Sequence, residues 1–273
     1  MAIDDEMKTV KEGVAVVGEI IKAAGDNPNV KEAGSNLGQT ALTITKTINN
    51  ALLPLAAINF SFDKARAYFS EKFEKDLSEK ADKIPFEDIV EPKASIAGPT
   101  LQGLAFTHEE ENLKDMYLSL LATAMNGKTS EEAHPAFVEI IKQLTSEEAH
   151  LLKSVLSSNG PIAISEIRLK EDGEQGWKTL LKHLIDVSNS KTGEAVENNR
   201  YPSMIENWIR LGLIEVNYTQ HIADKTAYDW NKTRPEVNKL RIQYETESSK
   251  IIFQNGILER TALGEHFAKA VDI

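Results

Sequence analysis

Residues Thr107–Leu152, THEEENLKDMYLSLLATAMNGKTSEEAHPAFVEIIKQLTSEEAHLL, decide the reading of the fold. One device recurs in them, Thr-x-x-Glu, at Thr107 with Glu110, Thr129 with Glu132 and Thr145 with Glu148. In each, the Thr hydroxyl can accept from an unpaired first-turn amide while the Glu reaches back to the capping amide. The expectation is three helix starts. Behind the first, Leu113, Met116, Tyr117, Leu120, Leu121, Ala124 and Met125 fall at the i, i+3, i+4, i+7 spacing that paints one side of a helix apolar. Asn126-Gly127 should stop that helix in the left-handed conformation. Behind the second, His134-Pro135 interrupts the acidic start, which places the helix at Pro135 and leaves Thr129 to Glu132 as a separate turn. Its stripe is Phe137, Ile140, Ile141 and Leu144.

The same residues carry a resemblance. An aliphatic helix ending LLATAMN, a short polar link, then HPAFVEIIKQLTSEEAHLL resembles the bacterial abortive infection alpha family. Upstream, IPFEDIVEPKASIAGPTLQGLAF is similar to the family's Pro-bounded approach to this helix. Downstream, RYPSMIENWIRLGLIE and ILERTALGEHF resemble its C-terminal part. The likeness runs from about Leu52 to the end, and the element His134-Pro135-Ala136-Phe137 before a Gln-Leu-Thr/Ser helix start is its most specific piece. The resemblance implies a role in defence against phage, with no established reaction.

A chain of 273 residues, 41% hydrophobic and 27% charged, can build one large or two ordinary domains of a soluble, mostly helical kind. It has no cysteine, which excludes disulfides, thiol nucleophiles and cysteine-based metal sites and is compatible with a cytoplasmic location. MAIDDEMKTVKEG lacks a basic stretch before an apolar core, so a secretory signal is not expected. A net charge of -11, concentrated in the first half, disfavours nucleic acid as a general partner.

In chain order, Val10, Val14, Val17, Ile20 and Ile21 mark a first helix over residues 7–25. Residues 29–60 read as a long helix with Val30, Ala33, Leu37, Ala41, Ile44, Ile48, Leu52 and Leu55 on one stripe. Two readings stand for it. Gly34 and Gly38 would let such helices approach closely, and the apolar end at Leu52 and Leu55 would serve self-association or peripheral membrane binding. The plainer reading is a helix packed on its neighbours with a kink at Pro54. A spanning helix needs about 20 apolar residues, more than this run provides. Residues 61–83 predict one charge-laced helix, with Phe62, Ala65, Phe69, Phe73 and Leu77 inward and Glu71-Lys75 and Asp76-Lys80 as i, i+4 pairs. Short helices are expected over residues 85–90 and 99–106, each opened by its Pro.

After Thr145 comes a helix over 146–157, a turn at Asn159-Gly160-Pro161, and PIAISEIRL as a strand, alone or running into a helix. Leu180, Leu181, Leu184 and Ile185 predict another helix, SNSKTGEAVENN a loop, YPSMIENWIRL a helix closed by Gly212, and LIEVNY a strand. KLRIQY, IIF and ILER read as strands, with Asn255-Gly256 as a hairpin turn. A helix from Thr261 closes the chain.

The fold class expected is mainly α. A helical domain spans residues 1–144, with Gly/Ala/Thr-rich helices to residue 60 and central helices from 61. A winged-helix-like α+β domain spans 145–273. No cofactor is expected and no catalytic motif is recognisable. The chain has no His-Glu-x-x-His, no Gly-x-Ser-x-Gly and no phosphate-binding glycine loop. His134 is the histidine best placed for chemistry, although its position favours a cap, and His108 sits among acidic residues at an expected helix start. His183, His221 and His266 have no carboxylate at a defensible spacing. The function expected is a non-enzymatic antiphage factor that binds a phage or host protein and self-associates through residues 30–60. One alternative is a DNA-binding regulator contacting phosphates with Arg200 and Arg210. The other is a hydrolase built on His134.

Overall fold

The structure, a computed structural model, describes residues 59–189 and 191–273. The segments 7–25 and 29–58, with Gly34, Gly38, Leu52 and Leu55, lie outside the described residues. Two compact units emerge, one of residues up to Leu152 together with Phe267–Ile273, the other Lys153–His266.

The first unit carries α1 (Asn59–Glu71), α2 (Phe73–Ala81), a 3-10 turn at Phe86–Asp88, α3 (Ala94–Thr107), α4 (Glu111–Met125), α5 (Pro135–Ile141) and the start of α6 (Ser146–Leu156). The seven stripe residues of α4 are all buried, and so are Leu118, Ser119 and Ala122, because α2, α3 and α5 pack around it. Gly103 lets α3 approach: a methyl there would stand 2.4 Å from Cζ of Tyr117. Phe137 of α5 packs edge-on against Phe267 at 5.5 Å, and the Thr123 hydroxyl donates to the Ala270 carbonyl at 2.9 Å. Both contacts tie residues 267–273 into this unit.

Of the three expected starts, Thr145 forms the reciprocal box. The Glu148 amide donates to Thr145 Oγ1 at 3.2 Å and the Thr145 amide to Glu148 Oε2 at 2.8 Å. Thr107 instead ends α3, its hydroxyl donating back to the Gly103 carbonyl at 3.0 Å, and α4 begins at Glu111. Thr129 to Glu132 form a turn. Asn126 is extended (φ -95°, ψ 111°) rather than left-handed, because the chain leaving α4 bridges to Ile89 and the Gly127 amide donates to the Asp88 carbonyl at 2.7 Å.

The expected helix over 61–83 breaks at Lys72, with Ala65, Phe69, Phe73 and Leu77 buried on either side. Asp76 and Lys80 reach Lys114 and Asp115 of α4. The helix placed at 85–90 is only the 3-10 turn. The one placed at 99–106 starts at Ala94 and holds Pro99 in its interior. Burial of Ile96 and Ala97 outweighs the backbone bond that Pro99 cannot donate.

The second unit contains β1 (Ile162–Glu171), β2 (Lys178–Ile185), α7 (Tyr201–Arg210), β3 (Ile214–Asn217), a 3-10 helix at Lys225–Lys232, α8 (Pro235–Tyr244), β4 (Ser249–Arg260) and the first turns of α9 (Ala262–Ala270). The sheet is antiparallel in the order β2-β1-β4-β3. One face builds the core from Ile167, Leu184 and Val237, with Leu181, Trp230, Leu240, Ile251 and Phe253 around them. Among the described residues of the chain, no helix is long and apolar enough to cross a membrane.

Three expectations fail here. Leu180 to Ile185 lie in strand β2, not a helix: two register shifts against β1 alter the strand's phase, which gives its leucines a helix-like spacing. KLRIQY belongs to helix α8, which Pro235 opens at its first turn. Asn255-Gly256 is no hairpin turn but lies within the single strand β4, paired with Ser165 and Ile164 of β1. Asn255 Oδ1 accepts from Ser165 Oγ at 3.1 Å, and a methyl on Gly256 would stand 2.6 Å from the Tyr218 ring. The dipeptide serves close packing. The hairpin of this unit is β1–β2.

Candidate functional site

Strand alternation sends Glu166 and Arg168 to the face opposite Ile167, and there they meet polar groups from every strand's neighbourhood. The Arg168 Nε donates to Glu166 Oε1 at 3.1 Å, the Thr179 hydroxyl of β2 donates to the same oxygen, and Arg168 Nη1 donates to Gln254 Oε1 of β4 at 3.0 Å. The Trp177 ring lies under the guanidinium at 4.3 Å. Burial works to raise the Glu166 pKa. The Arg168 and Thr179 hydrogen bonds and the charges of Arg168 and Lys182 outweigh it, holding the carboxyl below the ordinary range. Gln254 Nε2 donates to the Tyr218 carbonyl at 2.8 Å, joining this group to a second one.

The second group centres on His183, buried and held at φ +56° in the bulged stretch of β2. A non-glycine residue with that backbone stores strain and needs its surroundings to hold it. Tyr218, just past β3, supplies the hold: its hydroxyl accepts from the His183 amide at 3.1 Å and meets Nδ1 at 3.1 Å, with the two rings stacked at 6.0 Å. With the phenol oxygen accepting from the amide, its own proton is available to Nδ1. Nε2, on the other side of the ring, stands 2.9 Å from Glu206 Oε1 of α7. Burial, opposed by the backbone bond to His183, pushes the Tyr218 hydroxyl up to about 12, so the phenol stays protonated at neutral pH.

His183 also lines a cavity of about 230 Å³ whose floor is Leu180, Leu181, Leu184, Ile185 and Leu240 and whose rim carries Glu197, Asn199, Glu236 and Lys239. Arg234 fixes the wall of that cavity. It is 1% exposed, donates to the Val187 and Val196 carbonyls at 2.8 Å each, and forks onto Glu236 at 2.7 and 3.1 Å. An apolar floor with a few placed polar groups is the make-up of a recognition site.

His134 is exposed and caps α5, its Nδ1 accepting from the Ala136 amide at 3.1 Å. Pro135 is the first helical residue, and Phe137 is buried beneath the His134 ring. His108 caps the end of α3, not the start of a helix, and stacks on Tyr68 at 4.9 Å. Arg200 and Arg210 stand at opposite ends of α7, about 15 Å apart along the axis. Arg210 is bound to Asn207 Oδ1 at 2.6 and 3.2 Å. Among the described residues, no three His, Asp or Glu side chains cluster closely enough to hold a metal ion.

Sequence reasoning missed His183, Tyr218, Glu206, Glu166 and Arg234. The available signal was EIR at 166–168, where charges alternate with a core isoleucine in a strand. Nothing in sequence spacing links His183 to Tyr218, 35 residues on.

No curated protein and no solved structure matches the chain. The family model described as abortive infection alpha matches residues 65–271, which takes in both units and the HPAF element at α5. By that match the chain belongs to the abortive infection alpha family.

Proposed function

We propose that this protein defends a bacterial cell against phage in the abortive-infection manner, acting by binding and assembly rather than by catalysing a reaction. The family match over residues 65–271 carries the proposal. The build of the second unit supports the recognition half of it: an apolar-floored cavity beside the strained His183, with its wall pinned by a buried arginine. The partner fitting that cavity is a phage or host protein presenting an apolar side chain. Residues 30–60 supply self-association or a membrane surface. The test is plaquing on cells that express the intact chain or Leu180→Lys, which puts a charge into the cavity floor. Protection by the intact chain and its loss in the variant, at equal protein level, is the expected result. Full protection by the variant would remove the cavity from the account.

The winged-helix regulator has less support. Helix α7, which carries both arginines of that reading, spends Arg210 on Asn207 and presents Glu206, and the hairpin expected at Asn255-Gly256 is continuous strand. A salt-sensitive duplex complex lost in Arg200→Ala with Arg210→Ala would restore it.

A further inference from the structure

The cavity beside His183 is apolar at its floor, and the charges at its rim satisfy one another. Lys239 binds both oxygens of Glu197 at 2.7 Å, and Arg234 forks onto Glu236. One polar atom on the wall differs from these. Tyr201, the first residue of α7, lines the cavity and is only 9% exposed, yet among the described residues its hydroxyl has no hydrogen-bond partner. That oxygen is not sealed into the core, because it keeps accessible surface. Burial raises its pKa, and the charges of Arg234 and Glu236 act on it in opposite senses, so the hydroxyl is protonated and stands near the wall that those two residues form.

Resting on the reading that this cavity recognises a partner protein, we infer that the side chain it takes is a tyrosine or tryptophan of that partner, with its ring on the leucine floor and its polar tip hydrogen-bonded to the Tyr201 hydroxyl. The chemistry of the cavity narrows the choice. A wholly apolar side chain, phenylalanine included, would shut the Tyr201 hydroxyl away from water with nothing to bond, and a buried hydroxyl without a partner is costly. A charged side chain would enter beside Lys239 and Glu236, whose charges are already met, and would stay uncompensated. A short polar side chain would leave Leu181, Leu184 and Leu240 uncovered. Tyrosine and tryptophan combine a large apolar ring with one uncharged hydrogen-bonding tip, and a volume of about 230 Å³ holds either ring.

The experiment is a calorimetric titration of the full chain with the N-acetyl amides of tyrosine, tryptophan, phenylalanine and leucine, neutral probes that carry each side chain without its backbone charges. The tyrosine or the tryptophan amide should bind at least about fivefold more tightly than the phenylalanine and leucine amides. Tyr201→Phe keeps the ring and removes only a hydroxyl that no described residue engages, so it should fold as the parent does. In that variant the tyrosine and phenylalanine amides should bind equally. The inference fails if neither polar-tipped amide binds, if the phenylalanine amide binds as tightly as both of them, or if the preference survives in Tyr201→Phe. Loss of phage protection in Leu180→Lys, with none of the amides bound by the intact chain, would overturn this inference and leave the recognition reading standing. The stated preference together with full protection by Leu180→Lys would support the pairing and remove the cavity from defence.

Discussion

Replacing Arg234 by Met should cost the second unit more than any single surface change, and the cost should come from what is left behind. The guanidinium is 1% exposed and makes four hydrogen bonds, two to the carbonyls of Val187 and Val196 and two to Glu236, itself nearly buried. Arg234→Met strands the Glu236 carboxylate and both carbonyls. Removing one member of a buried pair costs about 3–5 kcal/mol. Glu236→Met added to Arg234→Met removes the stranded charge and should recover about 1–3 kcal/mol of that loss, although the carbonyls remain without donors. All three tryptophans, Trp177, Trp208 and Trp230, lie in this unit, so urea unfolding followed by tryptophan fluorescence reports on it. With a urea slope of about 1–3 kcal/mol per molar, the single variant's midpoint should fall by roughly 1–5 M. A midpoint within about 0.3 M of the parent, or a double variant less stable than the single, would refute the reasoning.

Gly256→Ala pushes a methyl toward the Tyr218 ring and the Asn217 carbonyl, and should destabilise the second unit by about 1–3 kcal/mol in the same assay. Thr145→Ala breaks the one reciprocal cap and should cost about 1 kcal/mol, measured by thermal denaturation followed by circular dichroism. Thr107→Ala should be nearly neutral there, because that hydroxyl only bonds back to its own helix. Glu166 has a folded pKa below its ordinary 4.5, so its contribution to stability is present above that pH and is lost as pH falls through the folded value. Glu166→Gln should therefore flatten the acid arm of the second unit's stability as pH falls below the ordinary value of 4.5, and an unchanged arm would contradict the assignment.

The helices of the first unit were legible because their apolar residues repeat at helical spacing and α4 buries the whole stripe so marked. Their boundaries were less so. Thr-x-x-Glu is satisfied equally well by a real cap at Thr145 and by the end of one helix running into the next at Thr107, and only packing separates them. The second unit misled for a different reason. Bulges in β2 shift the two-residue period, so Leu180, Leu181, Leu184 and Ile185 imitate a helix. Asn255-Gly256 has the chemistry of a turn, yet it is kept by contacts with Ser165 and Tyr218, far away in sequence. The polar site was hidden similarly. Its members come from β1, β2, β4, α7 and the segment after β3, and strand pairing brings them together with no local motif to announce it.

The central claim is that the protein acts in phage defence, and infection of cells expressing it tests that most directly. Plaques would be counted on a broad phage panel, with host viability followed after infection at high multiplicity, for the intact chain and for a deletion of residues 1–60. The account predicts fewer plaques together with death of the infected host, both requiring the N-terminal segment. Unchanged plaquing across the whole panel, with the protein present at normal level, would contradict it.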